Sequence, residues 1–384
     1  MSTTLELLAE LQQAAQREAN GDKYAHLELL KGVQRLQNIV TTPAEKMMRM
    51  RFQAYQNVCV RVAQEKGILQ TLAAKRKSTA RELSDATGAK ELLIVRIMRL
   101  ITIIGIADEV GPSTYQANAT TDFSVKKGIL GDVKYYTDIV LKLCSNMGPI
   151  AKAHDFDEID VHTFTFGKSM FEFTAENPEY GKAFDDFMTA RREATWDRWF
   201  DIFPVREKVK STDIGDVFLV DVAGGQGYWS QQFRQEFKDY PGRIVVQDQP
   251  HVITKLDGIE TMAYDFFTPQ PLVGAKIYYF KQILHNWDDE KSRSILKNTA
   301  AAMNKDSILL INDYVLPESN VGIRAVYMDI AMLVMLSGIE RTESQWTQLV
   351  ESAGLVITKI WYTDEKKNEG SEAVIEIRLP EHLQ

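Results

Sequence analysis

The sequence of 384 residues lacks the features that define several protein classes. Its 2 Cys, 11 Pro and 22 Gly are too few for a disulfide framework or a collagen-like repeat. Lys and Arg number 45 against 53 Asp and Glu, and the net charge of −8 disfavours electrostatic binding to nucleic acid. We find no run near the roughly 18 apolar residues of a membrane span and no signal peptide at the start. We therefore expect a cytoplasmic protein with no nucleic-acid or membrane partner.

The residues that are present have the balance of an ordinary globular protein, with 45% hydrophobic and 26% charged residues. The length predicts two or three structural units. Cys59 and Cys144 lie far apart in the sequence, each in an apolar run. We expect both to be reduced core residues rather than a disulfide bridge or a reactive pair.

Residues 1–45 are predicted to form an N-terminal helical arm. Apolar residues recur there at helical spacing on either side of a break at residues 20–22. This helix pair has little preceding chain to pack on, so it docks on the chain's own body or on a second copy. We favour the second copy, which predicts a homodimer.

Residues 46–125 have the pattern of a winged helix, with helical segments, a capping sequence at 78–83 and a strand–turn–strand near 104–117. Such a domain binds DNA or serves as a packing or dimerisation module. The predicted recognition helix, near residues 89–100, carries mixed charge and no basic stripe, so we predict a dimerisation domain.

Residues 126–205 are predicted to be helical and are rich in aromatic residues. A long amphipathic helix begins near residue 178 and carries Tyr180, Phe184 and Met188. A stripe of this kind belongs either to the core or to the wall of a pocket for a flat apolar ligand. The pattern alone favours core.

Residues 206–384 change to short β-rich runs that alternate with helical stretches, as in a doubly wound α/β sheet. The runs are residues 217–222, 244–247, 276–280, 308–314, 357–361 and 373–377. The last two lack a crossover helix, which predicts an antiparallel pair at the sheet edge. The predicted fold class is therefore α/β, with an N-terminal helical domain.

A glycine turn after the first predicted strand marks a ligand site. Gly224 lets backbone approach a ligand closely, and the following helix start favours negative charge. Ser230 stands where the dinucleotide fingerprint needs its third glycine, so that fingerprint is incomplete. The turn also lacks the Gly-Lys-Ser/Thr ending of a phosphate loop.

Two further strand ends carry acids. Asp248 lies 24 positions after Gly224, close to the roughly 20 expected for an acid that binds a ribose diol. The same residue also suits the cap of a helix over residues 251–256. Asp265 and Phe266 suit an adenine ring, because the carboxylate accepts from the amino group and the phenyl ring covers the face. Together these signals predict an adenosine site.

His285 follows the strand at 276–280, at the edge where open α/β sheets bind ligands. An imidazole with a pKa of about 6.5 can take a proton near neutral pH. The alternative is a structural histidine that caps the helix starting at Asp288 or Asp289. Asp313 and Glu340 come later in the chain and are candidates to orient and polarise the imidazole.

These segments together resemble the S-adenosyl-methionine-dependent small-molecule O-methyltransferases of the plant caffeate and flavonoid type, which have many fungal members. The shared segments are 219–227, 248–253, 264–267 and 281–290, and the resemblance covers roughly residues 46–379. The extra residues 1–45 resemble the fungal branch. The resemblance implies a homodimer with an N-terminal winged-helix domain and a C-terminal Rossmann-like methyltransferase domain.

The resemblance also implies roles in cofactor binding. Gly224 would approach the methionine end of S-adenosyl-L-methionine, Asp248 the ribose, and Asp265 with Phe266 the adenine. Lys281 would be a further cofactor contact.

For catalysis, the resemblance implies His285 as general base, flanked by Asp313 and Glu340. With the resemblance, we expect the aromatic helix in residues 126–205 to line an acceptor pocket rather than to form core. The implied substrate-binding residues are Tyr180, Phe184, Met188 and Asn286.

Three residues depart from the family pattern. Ala223 stands where the family often has Gly, Asn286 where many members have Asp, and Asp313 where many have Glu. We expect these changes to cost little and to leave the methylation machinery intact.

The predicted activity is methyl transfer to a phenolic or enolic hydroxyl of an aromatic, polyketide-type secondary metabolite. The sequence has no compact His/Asp/Glu cluster with metal-ligand spacing, so we predict no metal. One alternative is an enzyme of this fold that keeps the cofactor but catalyses a pericyclic, decarboxylation or hydroxylation step. The other is a non-enzymatic binding or regulatory protein.

Overall fold

The computed structural model describes residues 4–22, 25–154, 159–195, 198–363 and 370–380. The protein has an α/β fold with two units, Met1–Val133 and Lys134–Gln384. Among the described residues, no helix is both long and apolar enough to cross a membrane.

The first unit is mainly helical. Its helices are α1 (Thr4–Ala19), α2 (Ala25–Val40), α3 (Pro43–Glu65), α4 (Ile68–Lys75), α5 (Ala80–Thr87), α6 (Glu91–Ile103) and α7 (Ala119–Ser124). Strands β1 (Lys77–Thr79), β2 (Ala107–Gly111) and β3 (Thr114–Ala117) form an antiparallel sheet in the order β1-β3-β2. The predicted strand–turn–strand is thus present, and α5 begins at the predicted capping box of Thr79 and Glu82.

Helices α1 and α2 pack against each other at a glycine. A Cβ atom at Gly32 would lie 2.5 Å from Leu11 Cδ2, so a larger residue there would require the Leu11 side chain to shift. The opposite faces carry exposed apolar side chains, among them Leu5, Leu30 and Val33.

From residue 127 onward, helices surround one sheet. The helices are α8 (Lys127–Tyr135), α9 (Leu141–Ala153), α10 (Val161–Phe166), α11 (Met170–Glu176), α12 (Pro178–Thr195), α13 (Trp199–Ile202), α14 (Val205–Lys208), α15 (Tyr228–Glu236), α16 (Asp289–Ala302), α17 (Ile323–Leu336) and α18 (Glu343–Ser352). The strands are β4 (Val217–Val222), β5 (Arg243–Asp248), β6 (Glu260–Ala263), β7 (Ile277–Lys281), β8 (Ile308–Leu316), β9 (Arg341–Thr342), β10 (Val356–Tyr362) and β11 (Ser371–Arg378).

The sheet runs in the order β10-β11-β8-β7-β4-β5-β6, with β9 paired to the end of β8. Strands β6, β5, β4, β7 and β8 are parallel, whereas β11 and β10 are antiparallel. The doubly wound sheet and its antiparallel edge pair are confirmed. The six predicted strand runs include neither β6, although Asp265 is expected at a strand end, nor β9, because each is only two to four residues long.

The register brings the chemically active segments to one edge of the sheet. Val222 pairs with Gln247 on one side and with Phe280 on the other, and Lys281 pairs with Asn312. The residues that follow these positions therefore emerge together at the carboxyl edge.

Two expectations from the sequence are wrong in detail. Residues 251–256 form turns and irregular chain rather than a helix, so Asp248 does not cap one. Cys59 and Cys144 are both free, as predicted, but Cys144 is exposed and Cys59 only half-buried, so neither is a core residue.

Arg341 ties the turn after β7 to the sheet. Its guanidinium is buried and donates from Nη1 to Leu284 O (3.0 Å) and from Nη2 to Trp287 O (2.8 Å). Its Nε also donates to Asp289 Oδ1 at 2.9 Å. One side chain thus satisfies two backbone carbonyls of the segment that contains His285.

We expect Arg341→Met to lower the free energy of unfolding by about 2–4 kcal/mol, because the Leu284 and Trp287 carbonyl oxygens lose their charged donor and are left with longer bonds, such as those from Ser292 Oγ at 3.2 Å. Urea unfolding monitored by circular dichroism measures the loss. The matched change Arg243→Met removes an exposed guanidinium paired with Asp216 and Glu260, and should leave stability nearly unchanged. Equal losses in the two variants would contradict this role for Arg341.

Candidate active site

The turn between β4 and α15 is built for close approach. Asp221, at 2% exposure, accepts a hydrogen bond from Ser230 Oγ at 2.6 Å, and a Cβ at Gly224 would lie 2.5 Å from the Asp221 Cγ atom. Burial raises the pKa of Asp221 to about 6, although the Ser230 bond opposes this shift. Ala223 has φ = 57°, so its methyl group carries strain of roughly 1–2 kcal/mol in a place that suits glycine.

The space in front of this turn fits a cofactor. Gly225 has φ = 58°, and a Cβ built there would meet no protein atom within 4 Å. Its N–H donates to Asp248 Oδ2 at 2.8 Å, while Gln249 N–H donates to Oδ1 at 2.7 Å. A carboxylate has about four acceptor positions, so Asp248 keeps lone pairs for a ribose diol.

Asp265 and Phe266 follow β6 near the same edge. Asp265 is exposed, and its Oδ1 accepts from Phe267 N–H at 3.0 Å. The half-buried Phe266 ring lies edge-to-face against Phe267 (4.9 Å between centroids) and Trp287 (6.0 Å). The pair therefore offers a carboxylate and an aromatic surface, as an adenine site requires.

His285 lies buried between two carboxylates. Its Nδ1 is 2.8 Å from Glu340 Oε1 and 3.4 Å from Asp313 Oδ1. Because a carboxylate only accepts, Nδ1 carries the hydrogen, and Nε2 is left as the acceptor in the neutral ring. The three residues predicted from the sequence are thus brought together, and the ring is set in the tautomer of a general base.

The charges around the imidazole shift its titration. Burial alone would lower the pKa of His285, but the Asp313 and Glu340 carboxylates outweigh it and raise the pKa above the ordinary value. Burial raises the pKa of Asp313 to about 6, and the nearby Glu340 charge adds to this effect.

Two backbone contacts fix the imidazole and its partner. The Ile339 N–H donates to His285 O at 2.8 Å, and a Cβ at Gly338 would lie 2.1 Å from that oxygen. The Glu340 N–H donates to Asp329 Oδ1 at 3.0 Å on α17. Gly338 is therefore required where the Glu340 segment crosses the His285 turn.

Lys281, at the end of β7, forms an ion pair with Glu372. Its Nζ contacts Glu372 Oε2, and Gln282 Nε2 donates to Glu372 Oε1 at 3.0 Å. Burial lowers the pKa of Lys281, and the Glu372 carboxylate opposes this shift. The predicted cofactor contact is thus one half of a buried ion pair.

Helix α12 carries the predicted acceptor residues. The Phe184 ring lies 5.1 Å from Tyr135 and the Tyr180 ring 6.0 Å from Phe173, and both belong to one apolar cluster. Met188, half-buried, follows Phe184 by one turn. The contacts recorded for Tyr180 and Phe184 fit a core as well as a pocket wall.

Arg191 and Asn286 add polar groups near the base. Asn286 Nδ2 donates to Gln282 O at 3.3 Å. Arg191 Nη2 lies 3.1 Å from Met328 Sδ, and its charge acts on the pKa of both His285 and Lys281. Sequence reasoning missed Arg191, although its spacing of seven from Phe184 puts it on the same helix face.

The remaining oxygens of the two acids have no partner. Asp313 Oδ2 and Glu340 Oε2 are buried without a hydrogen bond among the described residues. One ligand atom from each of His285, Asp313 and Glu340 lies within 4.8 Å of the others, which is a spacing that a metal ion could use. Sequence analysis grouped these three residues as a base and its acids but did not predict a metal-compatible spacing, because the residues are far apart in the chain.

Comparison with known proteins bears on this site. A family described as the O-methyltransferase domain matches residues 150–356. Demethylsterigmatocystin 6-O-methyltransferase of Aspergillus flavus is 32% identical over 84% of this chain and 86% of its own length. O-methyltransferase okaF of Penicillium ochrochloron is 33% identical, over 84% and 88%.

Solved structures agree with the fold. OxaC in complex with SAH and oxaline superposes with a TM-score of 0.84 at 26% identity, covering 98% of this chain and 99% of OxaC. A structure titled as a pericyclic reaction enzyme has a TM-score of 0.85 at 25% identity, covering 96% and 97%.

The family match over residues 150–356 contains the glycine turn, Asp248 and His285, and each of the two relatives aligns over 84% of the chain. The chain therefore belongs to the S-adenosyl-methionine-dependent O-methyltransferases, in the branch with fungal members, and is an enzyme of that family that uses S-adenosyl-L-methionine.

Proposed function

We propose that this enzyme methylates a phenolic or enolic hydroxyl of an aromatic, polyketide-type secondary metabolite, with His285 as general base. The observation that carries the proposal is the 2.8 Å hydrogen bond between His285 Nδ1 and Glu340, which leaves Nε2 as a proton acceptor. A phenol has a pKa near 10, so at neutral pH the hydroxyl needs such a base.

The carboxylates of Asp313 and Glu340 assist His285 in its proposed role as base. As His285 takes the acceptor proton it becomes a cation, and Glu340 and Asp313 stabilise that cation in a buried site. Glu340 also fixes the tautomer, because its oxygen holds the Nδ1 hydrogen. Both are positioned by backbone contacts, so little reorganisation accompanies proton transfer.

For the cofactor, Gly224 would approach the methionine end, Asp248 the ribose, Asp265 and Phe266 the adenine, and Lys281 would be a further contact. S-adenosyl-L-methionine supplies an electrophilic methyl group on sulfur when bound. The residues around it bind, orient and exclude water, which aligns the acceptor hydroxyl beside His285.

The proposed class of acceptor is argued from the side chains of helix α12 and from the compounds named for two similar proteins. Tyr180, Phe184, Met188 and Asn286 would line the acceptor pocket, and rings with thioethers suit a flat aromatic ligand. The relative named above acts on demethylsterigmatocystin, and OxaC was solved with oxaline. We therefore propose a role in secondary metabolism. We also propose that the enzyme is cytoplasmic.

We propose metal-independent catalysis. The Nδ1 atom of His285 is engaged by Glu340, so a metal at this cluster would have to displace that hydrogen bond and remove the base. The reaction also has no requirement for a Lewis acid once a phenolate forms beside the base.

A second candidate is a cofactor-binding enzyme that catalyses a non-methylating step. The similarity to a pericyclic reaction enzyme favours it. The complete His285, Asp313 and Glu340 arrangement favours methyl transfer, because a pericyclic step needs no strong base.

We also propose a homodimer with residues 46–125 as a winged-helix-like dimerisation domain and residues 1–45 as an arm that reaches the second copy. Exposed apolar residues on α1, α2 and α3 support it: Leu5, Leu30, Val33, Val40, Met47, Met50 and Tyr55. Apolar surface of this extent on a helical arm marks an interaction site.

His285→Ala should lower methyl transfer by about 10²–10⁴-fold and leave cofactor affinity unchanged, because only the base is removed. Transfer of labelled methyl to a mixture of phenolic metabolites measures the first effect, and titration calorimetry the second. Near-normal methyl transfer by the variant would exclude His285 as the base. Tight cofactor binding by the native enzyme without any label transfer would favour the non-methylating alternative.

Dialysis of the native enzyme against EDTA should leave its rate of methyl transfer unchanged, because the proposed mechanism needs no metal. Loss of native activity that Mg²⁺ restores would exclude metal-independent catalysis.

The acid limb of the pH profile tests the carboxylates. A base must be unprotonated, so kcat/KM falls as pH drops through the pKa of His285, which lies above its ordinary value. Glu340→Gln removes one of the charges that raise this pKa, so the limb should move to lower pH while the maximal rate falls by about 10²-fold or more. An unchanged limb would mean that His285 is not the group that titrates.

The double variant Leu30→Glu/Val33→Glu should convert the dimer to a monomer, because it places two charges on the exposed apolar face of α2. Analytical ultracentrifugation measures the mass. Gln34→Glu, an equal kind of charge at an exposed polar position of the same helix, is the control and should remain dimeric. A dimeric double variant would rule out this face as the interface.

A further inference from the structure

A buried ion pair sits on the carboxyl edge of the sheet, across β8. Lys281 ends β7 and pairs with Asn312, while Glu372 is the second residue of β11 and pairs with Tyr314. Asn312 and Tyr314 are two residues apart, so Lys281 and Glu372 lie on the same face. Because β11 is antiparallel, its first residues come to the edge where the parallel strands end.

Both oxygens of Glu372 are occupied by the end of β7. Lys281 Nζ contacts Oε2, and Gln282 Nε2 donates to Oε1 at 3.0 Å. The Lys281 and Glu372 side chains are 9% and 14% exposed. Gln282 has φ = 51°, a left-handed conformation that non-glycine residues seldom adopt, and this turn carries its amide toward Glu372. The carboxylate of Glu372 is thus contacted by both Lys281 and the strained residue Gln282.

This pair adjoins the glycine turn. Phe280 of β7 pairs with Val222 of β4, so Lys281 is level with Ala223, directly before Gly224. The charges that act on Lys281 are Glu372, Asp313 and Arg191. Without Glu372, the Lys281 ammonium would lose the carboxylate that contacts it, and this edge of the sheet would carry one negative charge fewer.

Charge is what distinguishes the cofactor from its product. S-adenosyl-L-methionine carries a sulfonium cation, and loss of the methyl group leaves a neutral thioether, S-adenosylhomocysteine. An uncompensated ammonium nearby repels the first and not the second, and this repulsion is strong where water is excluded.

We propose that Glu372 is a positioning residue of the cofactor site, which holds the Lys281 ammonium in place and cancels its charge so that the site accepts a sulfonium. This rests on the proposed role of Lys281 as a cofactor contact. Glu372 acts through Lys281 and contacts no reacting atom.

The test is Glu372→Gln, with dissociation constants for S-adenosyl-L-methionine and S-adenosylhomocysteine measured by calorimetry at pH 6.5, which favours the ammonium form of Lys281. Affinity for the sulfonium should fall by about tenfold and affinity for the thioether by less than about twofold. Glu260→Gln makes the same chemical change in an ion pair with Arg243 at the start of β6, and should leave the ratio of the two constants unchanged.

A second variant separates charge from structure. In a Lys281→Met background the ammonium is absent, so Glu372→Gln should no longer change the ratio of the two constants. Equal weakening of both ligands, no weakening of either, or a changed ratio that persists with Lys281→Met would overturn the proposal. Thermal unfolding of each variant verifies that it is folded. Since these are binding measurements, their outcome is independent of whether His285 proves to be the base.

Discussion

The constraint on which the second unit depends is a buried imidazole held between two carboxylates. Burying His285, Asp313 and Glu340 together removes three ionisable groups from water, and their mutual contacts help to offset that cost. Such a cluster tolerates little displacement, because a hydrogen bond weakens steeply when its geometry changes. The elements around it are accordingly fixed by close contacts. Arg341 binds the carbonyls of the turn on one side, and Gly338 lets the Glu340 segment pass against the His285 carbonyl on the other.

The same edge of the sheet separates its charges into two groups. One is the imidazole with Asp313 and Glu340, which carries two negative charges when both acids are ionised and one after His285 takes a proton. The other is Lys281 with Glu372, which is neutral as a pair. A cationic cofactor and an acceptor that loses a proton make opposite electrostatic demands, so a site that serves both gains from this division. Strand β8 lies between the two, with Asp313 on one face and its neighbours Asn312 and Tyr314 on the other.

Much of this arrangement follows from local sequence patterns. The strands, the cap of Asp288 on α16 and the capping box of α5 depend on residues within a few positions of one another, so the sequence predicts them. Residue type and a predicted place after a strand identify His285 and Asp313, whereas residue type alone identifies Glu340. Their convergence depends on the register of β7, β8 and β9, which a single sequence does not state. The contact of Lys281 with Glu372 joins residues that are 91 positions apart, and no periodicity carries that information.

Two expectations were wrong, a helix over residues 251–256 and a core position for the cysteines, and both depend on tertiary contacts that the local sequence does not determine. A helix over residues 251–256 is locally reasonable, but Asp248 is engaged by the amide groups of Gly225 and Gln249 instead, and its tertiary partner decides its role. Cys144 lies in an apolar run yet on an exposed helix face, because a run of four residues does not determine which side is buried.

Helix α12 carries both the residues proposed to bind the acceptor and an arginine whose charge acts on His285. Phe184, Met188 and Arg191 follow one another at spacings of four and three, so an apolar surface and a guanidinium share one face. The guanidinium acts on His285 in the direction opposite to the two carboxylates, since it lowers the pKa that they raise. A base whose affinity for its proton is too high would hold it and turn over slowly. Arg191 therefore restrains the effect of the carboxylates on the His285 pKa. The helix that offers area for an aromatic ring thus also contributes to the electrostatic balance of the base.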